Sequence, residues 1–255
     1  MGNVTINSGR VAVYANYEGI ESKNQMVING GIVEVNAGDD CLNASNYLEI
    51  AGGKVWVYAR GSDALDNNGT NTVFSGGLII AGGTNHEQAL DCDLGENQSH
   101  KLTISGATIV AFGGNMGVWA QSSNSTPTMQ NNQKYLLTAS SGGGFPGGGS
   151  SSSSSYTITN TVVITDANNN VVLAYKGPAS ISGNGWDNGG GIRPPGGGGG
   201  PGGSGGFAFS STELTSGSYS IYKSAEITGG TSWHGFYVGA TVTPSGTATS
   251  ITAKP

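Results

Sequence analysis

The sequence predicts an all-β chain, a right-handed parallel β-helix with an irregular C-terminal half and Gly-rich inserts. Three observations carry this expectation. A unit of roughly 22 residues, lengthening toward the middle of the chain, recurs from the N-terminus onward, marked by a pair of small residues that ends at Gly9, Gly31, Gly53, Gly77 and Ala107. Apolar residues inside each unit fall at strand spacing, and no segment shows the 3,4 period of a helix. An acidic turn recurs at the same place in successive units.

The columns place each element in turn. Three residues before the marker stand Ile6, Ile28, Ile50, Phe74 and Ile104. Two and four residues after it stand Val11, Val33, Val55, Ile79 and Ile109, then Val13, Val35, Val57, Ala81 and Ala111. A last column holds Ile20, Leu42, Leu65, Leu90 and Val118. Each unit is thus three short strands joined by turns, and the Gly pairs suit a tight corner where φ turns positive. One unit cannot bury its apolar face alone, whereas stacked units share a continuous core. The handedness of parallel crossovers favours a right-handed coil.

Residues 1–125 read as these regular rungs. Residues 126–255 read as irregular rungs and a hairpin, packed on the same stack as one continuous domain. Strands are expected at 134–139, 161–165, 171–175, 207–210 and 218–222, with Asp166–Asn170 as a hairpin turn. Two low-complexity inserts, 142–155 and 189–206, interrupt this half. Such composition is ordinarily a flexible linker, but Gly with Pro also permits extended polyproline-like strands. They are expected to be interaction surfaces, through which the chain forms a homo-oligomer or filament.

Composition narrows the function. Only 10% of residues are charged, well under the roughly 25% of ordinary soluble domains, and 46 of 255 are Gly. This makeup is typical of extracellular or cell-surface β-proteins. The net charge of −6 argues against a nucleic-acid partner and suits cations. No apolar run reaches the roughly 18 residues of a membrane span. No secretory leader is legible, as in a mature or trimmed form. Cys41 and Cys92 fall two units apart and out of register. Stacked strands are about 4.8 Å apart, so two units exceed disulfide reach, and both read as small buried side chains.

The acidic turns form two columns. One is Glu18, Asp40, Asp63 and Gln88; three residues on, the other is Glu21, Asn43, Asp66 and Asp91, with Asp39 and Asp93 at the edges. Carboxylates stacked that closely repel unless neutralised. Calcium, which takes six to eight oxygens in flexible geometry, resolves the repulsion, and it is the expected cofactor. The expected ligands are Glu18, Asp39, Asp40, Asn43, Asp63, Asp66 and Asp91. The plainer alternative is a solvated acidic edge. No His or Cys pair sits at transition-metal spacing.

Between the inward valines, aromatic residues point outward: Tyr14, Tyr58 and Phe112 in one column, Trp56 beside it, and Trp119 near the acids. Such rings offer an apolar face with a polar rim on which sugars stack. The alternative is that the C-terminal half covers this stripe. Lyase chemistry needs a base within about 3 Å of the proton it removes. The candidates, Arg60 and Lys101, share no column with the acids.

The rungs VINGGIVEVNAGDDCLNAS and LEIAGGKVWVYARGSDALDNN resemble the pectate-lyase-like carbohydrate-binding β-helix proteins of bacteria. The later segments KYLLTAS, TVVITDANNNVVLAY and FAFSSTELTSGSYSIY are similar to the C-terminal part of that family. The resemblance covers most of the chain outside the inserts and is specific in the GG…DD rungs. It implies a pectin-lyase-like fold, bound calcium, and binding of plant-cell-wall polysaccharide such as cellulose or pectin. Asp39, Asp40, Asn43, Asp63 and Asp66 match its calcium-type motif, with Asn43 standing where an acid is usual. The expected function is non-catalytic polysaccharide binding. The alternatives are a self-assembling structural protein and a calcium-dependent polysaccharide lyase.

Overall fold

The computed structural model describes residues 2–83, 88–92, 100–112, 127–138, 161–177 and 206–255. Trp119, Asp93, insert 142–155 and all but the last residue of insert 189–206 lie outside these. Within them the protein is all-β, a parallel β-solenoid followed by antiparallel strands.

The first coil comprises β1 (Val4–Ile6), β2 (Arg10–Tyr14) and β3 (Ile20–Ser22). The second has β4 (Gln25–Ile28), β5 (Ile32–Ala37) and β6 (Leu42–Ala44), and the third β7 (Tyr47–Ile50), β8 (Lys54–Ala59) and β9 (Leu65–Asn67). Next come β10 (Asn71–Phe74) with β11 (Leu78–Gly82), then β12 (Lys101–Ile104) with β13 (Thr108–Phe112), and β14 (Thr128–Met129) ends the first sheet. The parallel register follows the apolar columns. Ile6 pairs Ile28, Ile28 pairs Ile50, Ile50 pairs Phe74, and Phe74 pairs Ile104. Val11, Val33, Val55, Ile79 and Ile109 pair in the same way on the second sheet. The inward members form one continuous core down the coil axis.

The corner glycines follow from φ. Gly9, Gly31, Gly53 and Gly77 have φ of 84°, 88°, 82° and 83°, a region that L side chains enter only at a cost. Side-chain amides run beside the turns, Asn29 donating to Asn7 at 2.8 Å and Asn46 to Asn24 at 3.1 Å. Cys41 and Cys92 are buried and not disulfide-bonded, and burial pushes the Cys41 thiol up to about 12.

The five strands expected after Met129 are present: β15 (Lys134–Thr138), β16 (Thr161–Thr165), β17 (Val171–Lys176), β18 (Phe207–Ser211) and β19 (Ser218–Tyr222). They are not further rungs, because their pairing is antiparallel. β18 runs against both β13 and β15, and β16 pairs with β17 and β19. Asp166 turns the β16–β17 hairpin by accepting from the Asn168 and Asn170 amides, each at 2.8 Å. Beyond Tyr222 come five strands the sequence reading did not name: β20 (Ser224–Thr228), β21 (Thr231–Trp233), β22 (Phe236–Val238), β23 (Thr241–Ser245) and β24 (Thr249–Thr252). Apolar residues of this half pack on the outer face of the solenoid. Ile80, Val110 and Phe112 point outward yet are buried with Val162, Tyr175 and Phe209 in a second core. The alternation of β5 and β8, one face buried and one open, therefore gives way to nearly continuous burial in β11 and β13. Among the described residues there is no helix, and so none long and apolar enough to cross a membrane.

Candidate functional site

Coil geometry brings the two acidic columns together at one corner, the first in the turn before the third strand of each coil and the second on that strand. Glu21, Asn43 and Asp66 are register partners, and Asp66 bridges to Asp91. In the other column the backbone bonds from Gly19 to Asp40, Cys41 to Asp63 and Ala64 to Gln88 stack Glu18, Asp40, Asp63 and Gln88. The side chains also tie one coil to the next. The Asp63 N–H donates to Asp40 Oδ1 at 3.0 Å, and the Gln88 N–H donates to Asp63 Oδ1. Asn43 Nδ2 donates to Asp40 Oδ2 at 3.0 Å, and Asn68 Nδ2 to Asp66 Oδ2 at 2.7 Å. Asp40, Asp63 and Asp66 are all nearly buried.

One carboxylate is left strained by this stacking. Glu18 Oε2 is buried and has no hydrogen-bond partner among the described residues. Desolvation, reinforced by Asp40, Asp39 and Glu21, raises the Glu18 pKa from 4.5 to about 7. The donor set suits a hard cation, being all carboxylate and amide oxygen with one orphaned oxygen. Among the described residues, no three His, Cys, Asp or Glu side chains converge on a single point. Binding a metal here requires the carboxylates to turn from their backbone partners or to share an oxygen with them.

The sign of the Glu18 effect follows from linkage. A carboxyl with a raised folded pKa holds its proton in the native state after the unfolded chain has lost it, so stability falls as pH rises from about 4.5 to about 7. In calcium-free buffer, Glu18→Gln is expected to flatten that decline, measured by urea denaturation at pH 5 and pH 8. Solvent screening reduces the size of the effect, since Glu18 is only partly buried. An equal slope in both proteins would place the titration elsewhere.

Aromatic residues flank the same corner. Tyr14 is 72% exposed and Tyr17 is 61% exposed. The Arg60 guanidinium sits 4.4 Å from the Tyr14 ring centre and donates to Asn36 Oδ1 and to the Ala15 carbonyl, so one side chain clasps three coils. Tyr17 hydrogen-bonds Asp39, whose charge raises the phenol pKa. Tyr17 belongs to no aromatic column of the sequence, and its one signal there is its place one residue before the acid column.

The rest of the aromatic stripe differs from expectation. The register does align Tyr14, Tyr58 and Phe112, through Asn36 and Gly82. Phe112, however, is fully buried under the C-terminal sheet, its ring 5.5 Å from that of Tyr175, so it offers no face to a sugar. Tyr58 is half-buried beside it. Trp56 is also half-buried, stacked at 4.3 Å on His234, which arrives between β21 and β22. His234 Nε2 lies 2.7 Å from Glu34 Oε1, and Arg10 pairs with the other oxygen at 2.6 Å. These partners hold the Glu34 carboxyl below its usual range.

Neither candidate base is set for proton removal. Arg60 is engaged with Tyr14, Asn36 and Ala15, and Lys101 opens β12 on a different sheet from the acidic turns.

Fold and corner together define a β-solenoid protein whose open chemistry is a surface of tyrosines, amides and carboxylates. A family model described as carbohydrate-binding domain-containing protein matches residues 2–181, and the chain belongs to that family. No curated protein and no solved structure matches it.

Proposed function

We propose that this protein binds polysaccharide without cleaving it, at the acidic corner of the first coils. The observation that carries the reading is the pair of exposed rings, Tyr14 and Tyr17, set beside Arg60, Asn36 and Asp39. A sugar stacks its C–H face on such a ring while amides and charges take its hydroxyls. Trp56 and Tyr58 extend the face only where their edges clear the β21–β22 hairpin. The acidic columns bind calcium through Glu18, Asp39, Asp40, Asn43, Asp63, Asp66 and Asp91, which neutralises the stacked charge. A calcium ion with an open position also takes a uronate carboxylate, so pectin is favoured, with cellulose as the neutral alternative. The family match and the pectate-lyase-like rungs support this reading. Such ligands place the protein outside the cell or at its surface.

Full-length protein is expected to be retained on insoluble pectin or cellulose and to release no unsaturated uronate. Tyr14→Ala and Tyr17→Ala should each weaken retention by about tenfold, near the worth of one good aromatic contact, without lowering the melting temperature. Unchanged retention in the double variant would move the binding face elsewhere, and ultraviolet-absorbing product would establish a lyase.

One observation favours assembly as a second role. Among the described residues nothing pairs with the outer edges of β1, β2 and β3, where Val4, Ile6, Val13 and Ile20 are only partly buried, and an open strand edge templates another chain.

A further inference from the structure

We propose that the C-terminal sheet carries a second saccharide site, a cleft that takes a neutral oligosaccharide. The inference rests on the polysaccharide reading above and concerns a different face. β17 and β22 pair at Tyr175 and Phe236. Away from that point residues of both strands line an open cleft of ≈ 430 Å³, to which Thr108 of β13 and Phe209 and Ser211 of β18 also contribute. That size falls within the usual range for small-molecule sites, about 300–1,000 Å³.

Its lining has the two chemistries a sugar needs. Val171 and Val238 contribute apolar side chains to the lining, and Tyr237 contributes an aromatic ring with a phenol. Val171 is 41% exposed and Val238 60% exposed. Among the described residues the other large apolar side chains so exposed are Tyr14 and Tyr17, at the first site. Glu213, Ser211 and Thr108 supply a carboxylate and two hydroxyls. A carboxylate accepts from two adjacent sugar hydroxyls. It also repels a uronate, and no Lys or Arg is among the described lining residues to offset it. The cleft therefore selects neutral sugar where the calcium corner selects acidic sugar. Ser211, Glu213, Tyr237 and Val238 all lie beyond residue 181, where the family match ends. Thr108 and Val171 lie within the matched residues, so the cleft joins the matched part of the chain to its C-terminal strands. Two sites on one chain gain avidity on a mixed cell-wall polymer when both can be engaged at once.

The test is amide-resolved NMR titration of the full chain with cellohexaose, xylohexaose, mannohexaose and, separately, hexagalacturonate. At least one neutral hexaose should shift the Val238, Gly239 and Ala240 signals, and hexagalacturonate should not. Tyr237→Ala should weaken that binding by about tenfold. Glu213→Gln, at an exposed position where folding is not at risk, should weaken it by several-fold, and Tyr14→Ala should leave it unchanged. The proposal is overturned if no neutral hexaose moves these signals, if hexagalacturonate alone moves them, or if Glu213→Gln and Tyr237→Ala both bind like the parent. Retention on polysaccharide that still depends on Tyr14 and Tyr17 would then leave the first site standing. Loss of both the shifts and the retention would overturn the two readings together.

Discussion

Alanine at position 53 should cost far more stability than alanine at position 9, although the two glycines have nearly the same φ, 82° and 84°. Both substitutions force an L side chain into the left-handed region, which costs about 1–2 kcal/mol. Gly9 sits on the open first coil, and among the described residues a Cβ there meets nothing within 4 Å. At Gly53 it would lie 2.5 Å from the Gly31 carbonyl oxygen and 2.8 Å from the Gly30 carbonyl carbon. Those atoms are backbone of the coil below, so no rotamer change relieves the overlap and the coils must part locally. Gly53→Ala is therefore expected to cost about 3 kcal/mol or more, in the range of severe single-site lesions, against about 1 kcal/mol for Gly9→Ala. Urea denaturation with linear extrapolation measures both. Equal costs would mean that the stack does not press on its corner glycines.

That contrast shows which parts of this fold the sequence can carry. A solenoid repeats its local environment, so every coil restates the same constraints, and columns such as Ile28–Ile50–Phe74 emerge from one chain without an alignment. The acidic columns were legible for the same reason. The repeat carries no record of which residues end up beneath something else. Phe112 has the same alternation as Tyr14, yet it is buried because β16–β18 dock over that end of the sheet. One of the two partners of Glu34 is His234, two hundred residues away, and no local pattern links them. The antiparallel turn of the C-terminal half was hidden by its short strands, which read equally well as irregular rungs. The β20–β23 ribbon was within reach, since SAEIT and TVTPS alternate around glycines that adopt positive φ.

Calcium should raise the melting temperature, and Asp40→Asn should remove the response while leaving the calcium-free protein folded. The substitution separates two roles of one side chain. Asparagine keeps an oxygen to accept from the Asp63 N–H, the bond that ties the second coil to the third. Asn43 donates to the other Asp40 oxygen, and a half-turn of its amide presents an acceptor to the new NH₂ instead. What is lost is the negative charge, together with its repulsion of Glu18. If the column is only a set of backbone ties, Asp40→Asn changes little and calcium changes nothing in either protein. If the column holds calcium, the ion binds the native stack alone. At a hundred times its dissociation constant it adds about 2.7 kcal/mol, a rise of roughly 5–10 °C for a chain of this size. Glu18, with its orphaned buried oxygen, gains most from such an ion. Bound calcium would favour its charged form and bring its pKa back down, so calcium should also erase the stability decline between pH 5 and pH 8. Scanning calorimetry of the parent and of Asp40→Asn, in chelator and in millimolar calcium, checks both effects. A parent that melts alike in the two buffers, or a variant that responds as the parent does, would reduce the acidic columns to the hydrogen-bond ladder that Asp40 and Asp63 already form.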